Sequence, residues 1–135
     1  MKQLHVRSIL ISFFVLTFLT NAFAQVTPRR VIIDTDPGTD DAMAIILALN
    51  SPEFKVEALT VVPGNVEAKQ GLENALKIVS LAGRCDVVVA GGAQHPLNQK
   101  LITAQYWHGK NGLANVELPP LSSDRLYVLP KMLTV

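Results

Sequence analysis

With 135 residues, 12 basic and 11 acidic side chains and a net charge of +1, the chain has material for one small domain. It offers no electrostatic case for binding nucleic acid. Cys85 is its single cysteine, which excludes an intrachain disulfide, and no Cys/His cluster points to zinc.

The first segment reads as a secretory signal peptide over residues 1–24. Lys2, His5 and Arg7 make a basic start, Ile9 to Leu19 is an apolar run broken by Ser12 and Thr17, and Ala22-Phe23-Ala24 is a small-x-small cleavage site. The run is short for a membrane span. The expectation is a mature chain of residues 25–135, exported to the periplasm or secreted, with no stable membrane anchor after cleavage.

The mature chain alternates strand and helix. Arg30 to Asp34 is a β-branched apolar run, expected as a strand buried in a parallel sheet. Asp40 to Asn50, apolar at nearly every position, predicts a largely buried helix that Ser51-Pro52 ends. Val56 to Val62 returns to strand character, and Pro63-Gly64 breaks it. Val66 to Ala82 predicts a second helix, with Leu72, Ala75, Leu76, Val79 and Ala82 on one face and Gly83 as its stop. Asp86 to Ala90 is a third strand, closed by Gly91-Gly92, with Cys85 before it as a half-buried thiol. The expected fold class is α/β: a Rossmann-like parallel sheet with flanking helices. Ala93 to Leu113 shows no sustained period and reads as a long loop, and Ser122 to Val135 starts a helix that Pro130 interrupts. Nothing there closes the sheet, so the fold is expected to be truncated before completion.

Four carboxylates follow the first strand within eight residues: Asp34, Asp36, Asp40 and Asp41. Like charges so close repel unless a cation offsets them. In a parallel sheet, ligands bind at the carboxyl ends of the strands. Asp34 and Asp36 leave the first strand there, Asp40 and Asp41 open the first helix, and Asn65 leaves the second strand at the same edge. Oxygen donors of this kind suit a hard cation, Ca²⁺ or Mg²⁺. Taken alone, Asp40 reads as a helix cap and Asp34 as an acid satisfied within its own turn. An EF-hand is excluded by the position of the glycine and the lack of a terminal Glu.

Asp34-Thr35-Asp36-Pro37-Gly38-Thr39-Asp40-Asp41-Ala42 resembles the amino-terminal signature of the inosine/uridine-preferring nucleoside hydrolases. Val62-Pro63-Gly64-Asn65 and His108-Gly109-Lys110-Asn111-Gly112-Leu113 resemble two further blocks of that family. The resemblance runs from about Val31 to Pro120, so residues 25–135 would be the amino-terminal part of such a domain. It implies an α/β fold with Ca²⁺ at the sheet rim and hydrolysis of the N-glycosidic bond of ribonucleosides to ribose and free base. Asp36 would ligate Ca²⁺ and act as general base on the attacking water, and Asp41 would be a second ligand. Asp40 and Asn65 would contact the ribose, His108 would lie in a loop over the nucleobase, and Asp34 would support the site from behind. Asn111 stands where many members carry Asp. Trp107 fits a base-stacking role and a packing role equally, and His95 has no assigned role.

The family's members are longer. Later segments complete their metal shell, hold the far side of the ribose and supply the acid for the leaving base. The resemblance therefore implies that this polypeptide alone is poorly active. The implied partner is a small-molecule nucleoside, with a homo-oligomer left open. Two alternatives stand beside this reading. One is a phosphatase of the haloacid-dehalogenase type, with Asp34 as nucleophile and Asp36 as acid/base. The other is a truncated product with no catalytic role.

Overall fold

The computed structural model describes residues 27–121. The expected signal peptide at 1–24 and the expected helix from Ser122 lie outside the described residues. The described chain runs β1 (Arg29–Thr35), α1 (Thr39–Asn50), β2 (Phe54–Val61), α2 (Ala68–Leu81), β3 (Val88–Gly91) and a single turn α3 (Gln105–His108). The three strands form one parallel sheet in the order β1-β2-β3. The three expected strands and the two expected helices between them are present, within two residues of the expected ends.

Parallel neighbours joined by right-handed crossovers in the order 1-2-3 bring both connecting helices to one side of the sheet. Helices α1 and α2 accordingly pack on each other, α1 on β2, and α2 on β2 and β3. Ile45 and Leu49 of α1, Val56, Leu59 and Val61 of β2, and Ala75, Ile78 and Val79 of α2 make up most of the core. The opposite sheet face is open among the described residues. Ile32 is 66% exposed and Val88 46%, so the expectation of strands buried on both faces is corrected to burial on one. Helix α1 is also less buried than its composition predicts. Ile45 and Leu49 point inward, while Met43 and Leu47 are exposed.

Strand β2 contains a bulge. Val31 pairs with Val56 but Ile32 pairs with Ala58, leaving Glu57 as an extra residue. An unbroken strand would send Val56 and Leu59 to opposite faces. The inserted residue changes the parity and lets both face the helices. Arg30 holds the carboxylate of Glu57 through two hydrogen bonds, of 2.7 and 2.8 Å, on the open face.

The helix ends follow from local chemistry. Ser51 caps α1 just before Pro52. After α2, Gly83 takes φ +68°, and its N–H reaches Ser80 while that of Arg84 reaches Val79. This is the two-bond closure that a left-handed glycine permits.

Candidate active site

The first strand and first helix meet in the loop Asp36-Pro37-Gly38, at the carboxyl edge of the sheet. Gly38 is the N-cap of α1 in an extended conformation, and its N–H donates to Oδ2 of Asp41 at 3.0 Å. Asp41 is thus the third helical residue reaching back to the cap, half of a capping box. The capping role expected of Asp40 belongs to Asp41 instead. The Asp41 Oδ1 accepts from the hydroxyl of Thr35, which is itself buried, at 3.1 Å.

Asn65, just beyond β2, joins the two inner acids. Its side-chain amide donates to the Asp36 carbonyl at 2.8 Å and to Asp41 Oδ2 at 3.1 Å, and its own N–H donates to Asp36 Oδ2 at 3.1 Å. Both amide hydrogens are therefore committed to holding Asp36 and Asp41 in place. No lysine or arginine pairs with either acid among the described residues. Neutral donors alone orient these two carboxylates, which keeps their oxygens acceptor-rich. Gly64 completes the fit, because a Cβ there would lie 2.0 Å from Asp36 Oδ2.

Asp40, one residue along α1, turns outward with its side chain 76% exposed. Nδ1 of His108 lies 3.6 Å from its Oδ1 and accepts from the N–H of Thr39 at 3.3 Å. A nitrogen that accepts from Thr39 carries no proton, so the Asp40–His108 approach is not an ion pair in this arrangement. Asp34 is set apart. Its Oδ1 accepts from the hydroxyl of its cross-strand neighbour Thr60 at 2.5 Å, on the open sheet face.

The long loop after β3 is tied down where it reaches the site. Asn111 Oδ1 accepts from the N–H groups of Leu113 and Asn115, and its Nδ2 donates to the Val116 carbonyl. Its role here is to shape the turn. Trp107 is 81% exposed and meets Tyr106 edge to face, with centroids 5.2 Å apart, so it is no part of the core. His95 is exposed, and Cys85 is half-buried as expected.

Thr35 and Asn74 are the site-supporting residues that the sequence left unmarked. Asn74 of α2 carried one signal: it is a polar side chain at helical spacing from Gly71 and Ile78, on the buried stripe.

The profile of the inosine-uridine preferring nucleoside hydrolases matches residues 31–131. That span includes every residue placed at the rim above. The chain belongs to this nucleoside hydrolase family. A pyrimidine-specific ribonucleoside hydrolase of Photobacterium profundum is 45% identical over 111 residues, covering 78% of this chain and 36% of the relative. A plant nucleoside hydrolase structure superposes with a TM-score of 0.68 at 44% identity, covering 78% of this chain and 33% of that one. The purine-preferring ribonucleoside hydrolase of Gardnerella vaginalis gives 0.63 at 38% identity, covering 67% and 30%. The nucleoside hydrolase chain described here thus spans about a third of the length of the relatives it matches. Membership in this family displaces the phosphatase alternative, whose expected nucleophile Asp34 is bonded to Thr60.

Proposed function

We propose that this chain carries the amino-terminal part of a site that hydrolyses the N-glycosidic bond of ribonucleosides. The observation that carries the reading is the placement of Asp36 and Asp41 by one amide, Asn65, at the sheet rim beside an outward-turned Asp40. The donor set is all oxygen and unpaired with lysine or arginine, which suits a hard divalent cation such as Ca²⁺. Among the described residues no group of three or more His, Cys, Asp or Glu could hold a metal, so this chain supplies two acids, Asp36 and Asp41, to a shell that needs further oxygens. Ca²⁺, when bound, contributes positive charge that acidifies water.

The chain's own residues divide the remaining work. Asp36 accepts the proton of the attacking water. Asp40 and Asn65 hold ribose hydroxyls. The acids together favour the positive charge that builds on the sugar as the glycosidic bond breaks. His108 stands over the side on which the base leaves, and Asp34 steadies the strand end through Thr60. Relatives with pyrimidine-specific and purine-preferring names match this chain comparably, so the reading extends to ribonucleosides as a class. Export through the segment at 1–24 would place that activity outside the cytoplasm, on external nucleosides.

The test is a Ca²⁺ titration of the chain followed by amide NMR, then addition of uridine or inosine. Ca²⁺ is expected to shift the resonances of residues 34–41 and 64–65, and Asp36→Ala or Asp41→Asn to abolish the shifts. Base release is expected to be slow, because two protein acids leave most of a six-to-eight-oxygen shell to water. A titration that leaves those resonances in place would refute the reading.

A further inference from the structure

A buried side-chain amide persists when its polar atoms are paired. Asn74, 1% exposed in the middle of α2, is paired at both ends. Its Nδ2 donates to the carbonyl of Asn111 at 2.8 Å and, at the longer distance of 3.5 Å, to that of Pro37. Its Oδ1 accepts from Nε2 of Gln70 at 3.0 Å. Carbonyls only accept, so the NH₂ end must face them and the amide has one orientation.

Those two carbonyls belong to different loops. Pro37 lies between Asp36 and Gly38 in the acidic loop, and Asn111 lies three residues beyond His108. The helix that carries the amide is fixed in the core through Ala75, Ile78 and Val79. Gly112, at φ +81°, is pressed against it, since a Cβ there would come 3.1 Å from Asn74 Nδ2 and 2.7 Å from Val66. Two direct bonds also join the loops, Thr39 N–H to His108 Nδ1 at 3.3 Å and Thr39 Oγ1 to the Gly112 carbonyl at 3.4 Å, both longer than the Asn74–Asn111 bond and slightly shorter than the Asn74–Pro37 one.

We propose that Asn74 is a positioning residue: one rigidly held amide sets the separation of the Asp36–Asp41 loop and the His108 loop. A hydrogen bond that orients groups which in turn touch a ligand commonly affects affinity strongly. The proposal rests on the nucleoside hydrolase reading for the ligand, but its geometric part is tested separately.

The isotope-labelled 135-residue chain is compared as wild type, Asn74→Leu and Ile78→Val. Leu repeats the branched outline of Asn without its donors, and Ile78→Val perturbs the packing of the same helix. Asn74→Leu is expected to shift the amides of Gly38, Thr39 and Gly112 and the ring carbons of His108. Ile78→Val is expected to leave them in place. Unmoved resonances in Asn74→Leu overturn the proposal. Should that variant not fold, Asn74→Ala, which removes the same donors without adding bulk, decides by the same resonances, unmoved amides again overturning the proposal.

A second arm measures uridine and inosine binding in the presence of Ca²⁺, at a temperature where all variants are folded. Binding is expected to be at least about tenfold weaker in Asn74→Leu and unchanged in Ile78→Val. Equal binding by wild type and Asn74→Leu overturns the positioning role. Failure of the wild type itself to bind defeats the nucleoside reading instead, and the resonances then decide whether Asn74 holds the two loops.

Discussion

Gly64 is packed so closely against Asp36 that a Cβ at that glycine would lie 2.0 Å from Oδ2 and 2.8 Å from the carboxyl carbon. The same oxygen accepts the N–H of Asn65, the next residue. The backbone after β2 therefore forms one wall of the Asp36 site, and only a residue without a side chain allows it.

Gly64→Ala is expected to push the Asp36 carboxylate away and break its bond to Asn65. Overpacking of this kind costs about 1–3 kcal/mol, which urea unfolding would measure. Ca²⁺ affinity is expected to fall by about tenfold or more, as for other changes that misplace a ligand. Shortening Asp36 to alanine removes the two nearest clashing atoms and leaves only Cβ, at 2.9 Å, so Gly64→Ala in an Asp36→Ala background should cost measurably less stability. Strict additivity of the two substitutions would contradict the contact.

Asn65 holds two acids with its neutral donors, and this fixes the sign of a charge substitution. Asn65→Asp replaces the NH₂ group with a third carboxylate beside Asp36 and Asp41. Like charges so close repel, and the donors that hold Asp36 and Asp41 are lost with the NH₂ group. The variant should therefore be less stable than wild type at neutral pH, and Ca²⁺ should restore part of the difference. Equal stability of the two proteins would defeat the argument.

Arg84 joins the end of α1 to the start of β3. Its guanidinium donates to the Leu49 carbonyl at 2.8 Å and to both oxygens of Asp86 at 2.9 Å. Those hydrogen bonds hold the Asp86 carboxyl below its usual value of 3.8. A depressed acid adds stability above its unfolded pKa and loses it as pH falls through the folded value, so this contribution should fade below about pH 4. Asp86 is largely exposed, which keeps the ion pair weak. Arg84→Ala should cost about 1–2 kcal/mol at neutral pH, mostly from the bond to Leu49. Asp86→Asn should cost less and flatten the acid limb of the denaturation curve.

How far the sequence revealed the molecule depends on the range of the interaction. The meeting of Asp36, Asp41 and Asn65 at one rim is legible in the sequence, because strand ends and helix starts are local features and a parallel sheet brings its carboxyl ends together. Taken alone, Asp40 reads as the cap, since residue type does not distinguish it from Asp41, which makes the bond to Gly38. The Glu57 bulge is not legible in the sequence, because Val56 to Val61 reads as one continuous strand and parity depends on pairing with β1. Asn74 was missed for a related reason. Its partners Pro37 and Asn111 each lie 37 residues away, and no periodicity within a helix encodes a contact at that distance.

The open face of the sheet yields the remaining prediction. Ile32, Ala58 and Val88 stand side by side in register across the three strands, an apolar row facing away from both helices. Ile32 is 66% exposed, and Asp34 lies two residues along on the same face. A lysine at Ile32 would project outward and gain an acidic neighbour, so Ile32→Lys should change stability by no more than about 0.5 kcal/mol. Leu59→Ala, on the covered face of the neighbouring strand and fully buried, should cost about 2–5 kcal/mol. Exposed apolar rows favour association, so Ile32→Lys should also lower the concentration-dependent sedimentation of the chain in the ultracentrifuge. A loss of stability matching that of Leu59→Ala would show that Ile32 is covered in solution and would contradict the one-sided sheet.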